Sequence, residues 1–233
     1  MLKYIDHTKM GRGKHGWLDS HFHFSFAEYY NPANIQFGAL RVVNDDIVQA
    51  GKGFDTHPHK NMEIISYVVN GELTHADSMK NRSALMRGQV QYMSAGTGVT
   101  HSEYNSGDKP LRFLQIWILP DKNGYAPSYG DHRFAWEDRL DKWLPIASGN
   151  PASSAPIKIH ADVNVYAAQI TRGGELAFET RPGRQTYLVL IEGAAQIGGH
   201  VLAERDAMEI TEQDITVSAT DTAHVIALEM AKA

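Results

Sequence analysis

Two short stretches carry residue types that can do chemistry at usable spacing. The first holds His57, His59 and Glu63; the second holds His101, Glu103 and Asn105. Side chains two residues apart on an extended strand point the same way, so His57 and His59 share a face and Glu63 keeps their parity. His101 and Glu103 form a second pair of the same kind. Imidazole nitrogens with a carboxylate suit Fe, Mn, Ni, Cu or Zn, leaving positions open for water or substrate. Parity alone leaves open whether Glu63 or Glu103 completes the set.

Positioning such pairs calls for strands and turns, and the chain is rich in both. Its 233 residues allow one large all-β domain or two smaller ones. Cysteine is absent, which excludes disulfides, thiolate nucleophiles and sulfur-ligated metals. A net charge of -5 without a basic run gives no nucleic-acid footprint. No apolar run approaches the ~20 residues of a membrane helix, and Met-Leu-Lys-Tyr-Ile-Asp-His at the start lacks a signal core. The expected location is the cytoplasm, with no membrane partner.

Residues 1–20 read as a glycine-rich loop. Residues 21–26 read as a half-buried strand with Phe22, Phe24 and Phe26 on one side. Further strands are expected at 37–43, 63–69, 73–76, 89–93 and 111–119, with Asn44-Asp45-Asp46 as a solvated turn and Asn70-Gly71 as a hairpin. The proline- and glycine-rich stretch 120–156 reads as a connector with a short helix near 134–144. Strands then resume at 163–171, 176–180, 185–191 and 194–197. Ile65 to Gly71 matches Tyr187 to Gly193, a weak internal repeat. At that offset His57, His59 and Glu63 become Glu179, Arg181 and Gln185, so the second half repeats a scaffold without its imidazoles.

Other candidates read as structural. His21 and His23 lie on an aromatic strand without a second pair, and His75 lies beyond the 70–71 turn. His7, His15, His132, His160, His200 and His224 have no constellation. Phe113, Gln115 and Trp117 share a strand face that could line an aromatic ligand, although core packing is the commoner fate.

The form Gly51-x5-His57-x-His59-x3-Glu63, with Gly88-x5-Ser94-x-Gly96 and then His101 and Asn105, resembles the two cupin motifs. Ser94 replaces a frequent proline, and two extra residues precede His101. Those departures resemble the pirin family, as do residues 15–20, 23–27, 37–46, 57–63 and 94–105. The resemblance implies an all-β bicupin: an N-terminal cupin with a metal at 1–125, a connector at 126–156, and a metal-free cupin-like domain at 157–233. It implies one divalent metal, Fe(II) first and Mn, Ni, Cu, Co or Zn as alternatives, on His57, His59, His101 and Glu103. Glu63 is the runner-up ligand, or else orients a ring. It also implies a quercetin 2,3-dioxygenase-like enzyme acting on a flavonol and O2, with Glu103 taking the 3-hydroxyl proton. The alternative is a non-enzymatic, redox-responsive regulator acting through protein partners.

Overall fold

The computed structural model describes residues 1–232, which form an all-β chain. The strands of the first part are β1 (Leu2–Ile5), β2 (Gly11–Lys14), β3 (Leu18–Phe22), β4 (Leu40–Val48), β5 (Gly53–His59), β6 (Glu63–Asn70), β7 (Leu73–Asp77), β8 (Arg82–Leu85), β9 (Val90–Ser94), β10 (Val99–Tyr104), β11 (Leu111–Ile118) and β12 (Ser128–His132). Those of the second are β13 (Leu144–Ser148), β14 (Ile157–Lys158), β15 (Val163–Ile170), β16 (Glu175–Phe178), β17 (Arg184–Glu192), β18 (Ala195–Ile197), β19 (His200–Leu202), β20 (Ala207–Thr211), β21 (Ile215–Ala219) and β22 (Ala223–Ala231).

They make two cupin units. One holds Gly11–Phe134 with Ile159–Ala161; the other holds Met1–Met10, Ala135–Lys158 and the chain from Asp162. The first unit has a seven-stranded sheet, β12-β9-β6-β11-β4-β3-β2, and a four-stranded sheet, β5-β10-β7-β8. The second repeats the plan with β1-β20-β17-β22-β15-β13-β14 and β16-β21-β18-β19.

These boundaries differ from those expected at 125 and 156. Residues 1–10 are not a leading loop, because β1 pairs with β20 from Leu2 opposite Ile210 to Ile5 opposite Ala207. The expected connector is mostly structured: β12 extends the first unit by pairing with β9, and β13 joins the second by pairing with β15. Its expected helix is a single 3-10 turn at Trp136–Arg139. Glycines at 11 and 13, read as loop punctuation, sit in β2. A Cβ at Gly11 would lie 2.3 Å from the Tyr29 ring, so the residue is small because an aromatic covers it.

Asn70-Gly71 turns the chain but closes no hairpin. Gly71 has φ +83, and β6 and β7 lie in different sheets. Gly193, its repeat counterpart, has φ +85 at the same kind of corner between β17 and β18. Positive φ serves any sharp corner, whether or not the flanking strands pair. The repeat is therefore a repeated corner.

The registers show how the two interiors diverge. In the first unit Ser66 stands opposite Gln91 and Gln115. At the matching place in the second, Leu188 stands opposite Met208 and Ala227, inside an apolar cluster with Val217. One interior is polar, and the other is filled with hydrocarbon.

Two sequence expectations about β3 and β4 are corrected. Residues 20–25 are buried on both faces, His21 and His23 included. Asp45 and Asp46 are not a solvated turn but lie inside β4, 0% and 3% exposed. Each acid has a side-chain partner: the Arg112 guanidinium grips Asp45 at 2.9 and 2.6 Å, and Ser20 Oγ donates to Asp46 at 2.5 Å.

Burial, with the nearby charges of Asp45 and Glu103, pushes the Asp46 carboxyl from 3.8 up to about 7 against the opposing Ser20 bond. Folded protein therefore holds a proton across that interval where unfolded chain has released it, so stability falls as pH rises from about 4 to 7. Asp46→Asn keeps the acceptor without the charge. It is expected to add on the order of 3 kcal/mol at pH 8 and almost nothing below pH 4. Guanidinium unfolding at both pH values checks this, and an equal gain at both would contradict it.

Candidate metal centre

Three strands of the four-stranded sheet bring the sequence pairs together. On β10, His101 lies opposite His57 of β5 on one side and Asp77 of β7 on the other. Glu103 lies opposite Phe54 and His75, with a bulge in the β5 pairing between His101 and Glu103. A bulge bends its strand and re-aims the side chains beyond it.

The rings of His57, His59 and His101 meet with centroids 4.6 to 4.9 Å apart. One nitrogen from each lies within 4.8 Å of the others. His57 Nδ1 is 2.7 Å from the Asp55 carbonyl, which can only accept. That bond places the proton on Nδ1 and leaves the Nε2 lone pair free. Burial, followed by the neighbouring rings of His101 and His57, pushes His59 down to about 4. Burial, followed by His57 and His75, pushes His101 down to about 3. Both rings are neutral at neutral pH, as metal ligands must be.

His101 is the decisive residue. It is 1% exposed, and neither ring nitrogen has a hydrogen-bond partner among the described residues. A buried, unpaired polar atom costs about 1–3 kcal/mol, and a bound cation would remove that cost. The donor set therefore fits a divalent ion.

The two glutamates differ in surroundings. Glu103 groups with His75 and His101, one donor atom of each lying within 4.8 Å of the others. Its Oε1 accepts from Ser66 Oγ at 2.7 Å and Gln91 Nε2 at 2.6 Å, and its Oε2 from Gln115 Nε2 at 2.5 Å. Glu63 instead accepts from Tyr92, from Ser94 at 2.6 Å and from the His160 backbone N–H at 2.9 Å. Asn105 ties down its own loop through the carbonyls of Val48 and Lys109.

His75 was read from sequence as structural, and the structure sets it beside the site. It is fully buried, stacks on Tyr129 at 4.5 Å, and has Nε2 3.1 Å from Asp77 Oδ2. The signal available was a His-x-Asp pair of the right parity on a strand. Phe113 joins the core, Gln115 binds Glu103, and Trp117 sets its ring against His59 at 4.8 Å. His21 and His23 stay outside the group, and burial pushes His23 down to about 4. His7, with Asp6 and Asp206, forms a further cluster, but Asp206 already accepts from Tyr4 and two backbone N–H groups.

Gly53 sets the spacing of β5 and β10. A Cβ there would lie 2.3 Å from the Glu103 carbonyl oxygen and 2.6 Å from Tyr104 Cα. Both obstacles are backbone, so Gly53→Ala must shift one strand. It is expected to weaken metal binding by about 10–100-fold, as displaced supporting groups do. A competitive chelator titration measures this, and unchanged affinity would show that the strand spacing is not critical.

Residues 6–118 match the family model for pirin, and residues 145–230 match that for the quercetinase C-terminal cupin domain. A quercetin 2,3-dioxygenase of Escherichia coli K12 is 39% identical over 225 residues, covering 96% of each chain. The chain belongs to the pirin family. A pirin-like protein of Caulobacter vibrioides is 40% identical over 224 residues, covering 96% of this pirin and 97% of the relative. The crystal structure of YhhW from E. coli superposes with a TM-score of 0.94 at 36% identity, covering 100% of this chain and 99% of that one. A second structure, of bacterial pirin YhhW in complex with nickel(II), gives 0.93 at 35% identity with both chains fully covered. No helix among the described residues is long and apolar enough to cross a membrane.

Proposed function

We propose that this pirin is a metal-dependent dioxygenase that opens flavonols of the quercetin class. The proposed ligands are His57, His59, His101 and Glu103, and Fe(II) is the proposed ion. The observation that carries the reading is His101, a buried ring whose two nitrogens find no partner among the described residues and which meets the rings of His57 and His59. The likeness to a quercetin 2,3-dioxygenase of E. coli K12 and to the quercetinase C-terminal cupin domain supports the substrate class.

A bound first-row ion supplies open coordination positions and electron exchange between a flavonol and O2. The protein supplies the rest. The Asp55 carbonyl fixes the His57 tautomer so that its lone pair faces inward. Ser66 and Gln91 both donate to Glu103 Oε1, which leaves Oε2 the less occupied oxygen. In this reading Glu103 takes the proton of the flavonol 3-hydroxyl on Oε2. Beside His59, Pro58, Lys60, Ser78, Val99 and Thr100 line a hollow of about 540 Å³, within the usual size of a small-molecule site. Trp117 packs its ring against His59. In the net reaction two ring C–C bonds break and carbon 3 leaves as carbon monoxide. Both oxygen atoms of O2 enter the product, an aromatic acid ester.

Iron-loaded protein should consume O2 and release carbon monoxide with quercetin, and the His57→Ala/His59→Ala variant should do neither. Metal-bound protein inert towards quercetin would overturn the enzyme and leave the regulatory reading.

A further inference from the structure

We propose that the mouth of the second barrel is a binding site for an uncharged polyhydroxylated aromatic, built from residues the metal centre does not use. A cavity of about 980 Å³ opens there. Beneath it the barrel is filled by Leu188, Met208, Ala227 and Val217, so the cavity is a cup and not a channel.

One wall is aromatic. Phe178 is held edge-on by Trp143 and Tyr166, at centroid distances of 4.9 and 5.7 Å. Trp143 Nε1 donates to the Ala177 carbonyl at 2.7 Å, which fixes the indole. Trp143 and Tyr166 remain half-buried and offer ring surface to the cup. Stacking on preset rings favours a planar ligand at low entropic cost.

The polar rim decides the ligand's charge. Arg184 is fully engaged: it grips Glu229 through Nε and Nη2 and reaches Asp162 Oδ2 at 2.5 Å through Nη1. Asn164 Nδ2 also donates to Glu229, at 2.6 Å. Counting Arg181 and Glu179, the rim carries three carboxylates against two guanidiniums. With Arg184 held by Glu229 and Asp162, the part of the rim left to a ligand is Arg181 against Glu179 and Asp162 Oδ1, one cation outnumbered by acceptors, which disfavours an aromatic carboxylate. Phenolic hydroxyls are donors, and Glu179 and Asp162 Oδ1 accept from no other group among the described residues. The rim is an acceptor surface above an aromatic wall, which is what a catechol-bearing ring needs.

Glu179 and Arg181 occupy the repeat positions of His57 and His59. The duplicated scaffold keeps a concave site at the equivalent end of each barrel, with ligating rings in one and acceptors in the other. The proposal does not require the first barrel to turn flavonols over.

The test uses metal-free His57→Ala/His59→Ala protein, in which the first site is disabled. Quercetin titrated into it, followed by calorimetry and tryptophan fluorescence, should bind at one equivalent with a Kd in the micromolar range. Glu179→Gln, at an exposed position, should weaken binding several-fold, and Tyr166→Leu up to about 10-fold. Catechol should compete better than 3,4-dihydroxybenzoate. Absence of saturable binding, indifference to both substitutions, or preference for the carboxylated ring would each overturn the proposal. None of these results bears on turnover by iron-loaded wild-type protein, so the two readings fail independently.

Discussion

Replacing His101 by alanine is expected to abolish metal binding while costing metal-free protein little stability. The ring has no hydrogen bond to lose among the described residues, both nitrogens being unpartnered there at 1% exposure. Against the lost packing stands the removal of two buried orphan atoms, each worth about 1–3 kcal/mol in the opposite direction. Metal affinity should fall by more than about 100-fold, beyond the loss expected from a supporting residue, and quercetin turnover should drop to background. Metal content after dialysis and unfolding of the metal-free variant are the two measurements. A variant that retains its ion would show that the three rings do not act together. A variant that unfolds without metal would give His101 a packing role instead.

The largest effect on stability is expected at Arg112. Its guanidinium makes a two-pronged bond to Asp45, which is completely buried on β4. Arg112→Met leaves that carboxylate in the core without its counter-charge, at a cost of about 3–5 kcal/mol. Against a typical total of about 5–15 kcal/mol, that is a large share. Asp45→Asn combined with Arg112→Met removes both charges and should recover most of the loss. Denaturant midpoints of the single and double variants form the cycle, and additive losses would show that the pair does not matter.

How much of this was legible beforehand depended on the kind of signal. Alternation is local, so the strands at 63–69, 73–76 and 111–119 were readable within a residue or two. Spacing is also local, so His57, His59 and His101 stood out, and the fold brings their rings together. The destination of β1 was not readable, because its partner lies at the other end of the chain. Asp45 and Asp46 failed for a related reason. Two adjacent acids look like a turn until an arginine on β11 and a serine on β3 are known to face them. His75 and the Ser66, Gln91 and Gln115 trio show the same limit. Inward polar residues on apolar strands acquire meaning only when register sets them against Glu103.

The placement of β1 also bears on biosynthesis. Residues 2–5 are synthesised long before residues 207–211, yet they must wait for them before they can zip into place. Closing so long a loop is slow, and until it happens the β20 edge stands open to strand exchange with other copies. A nascent-chain chaperone or a fast-folding leading barrel would shorten that window. A C-terminal fragment expressed alone would never close it.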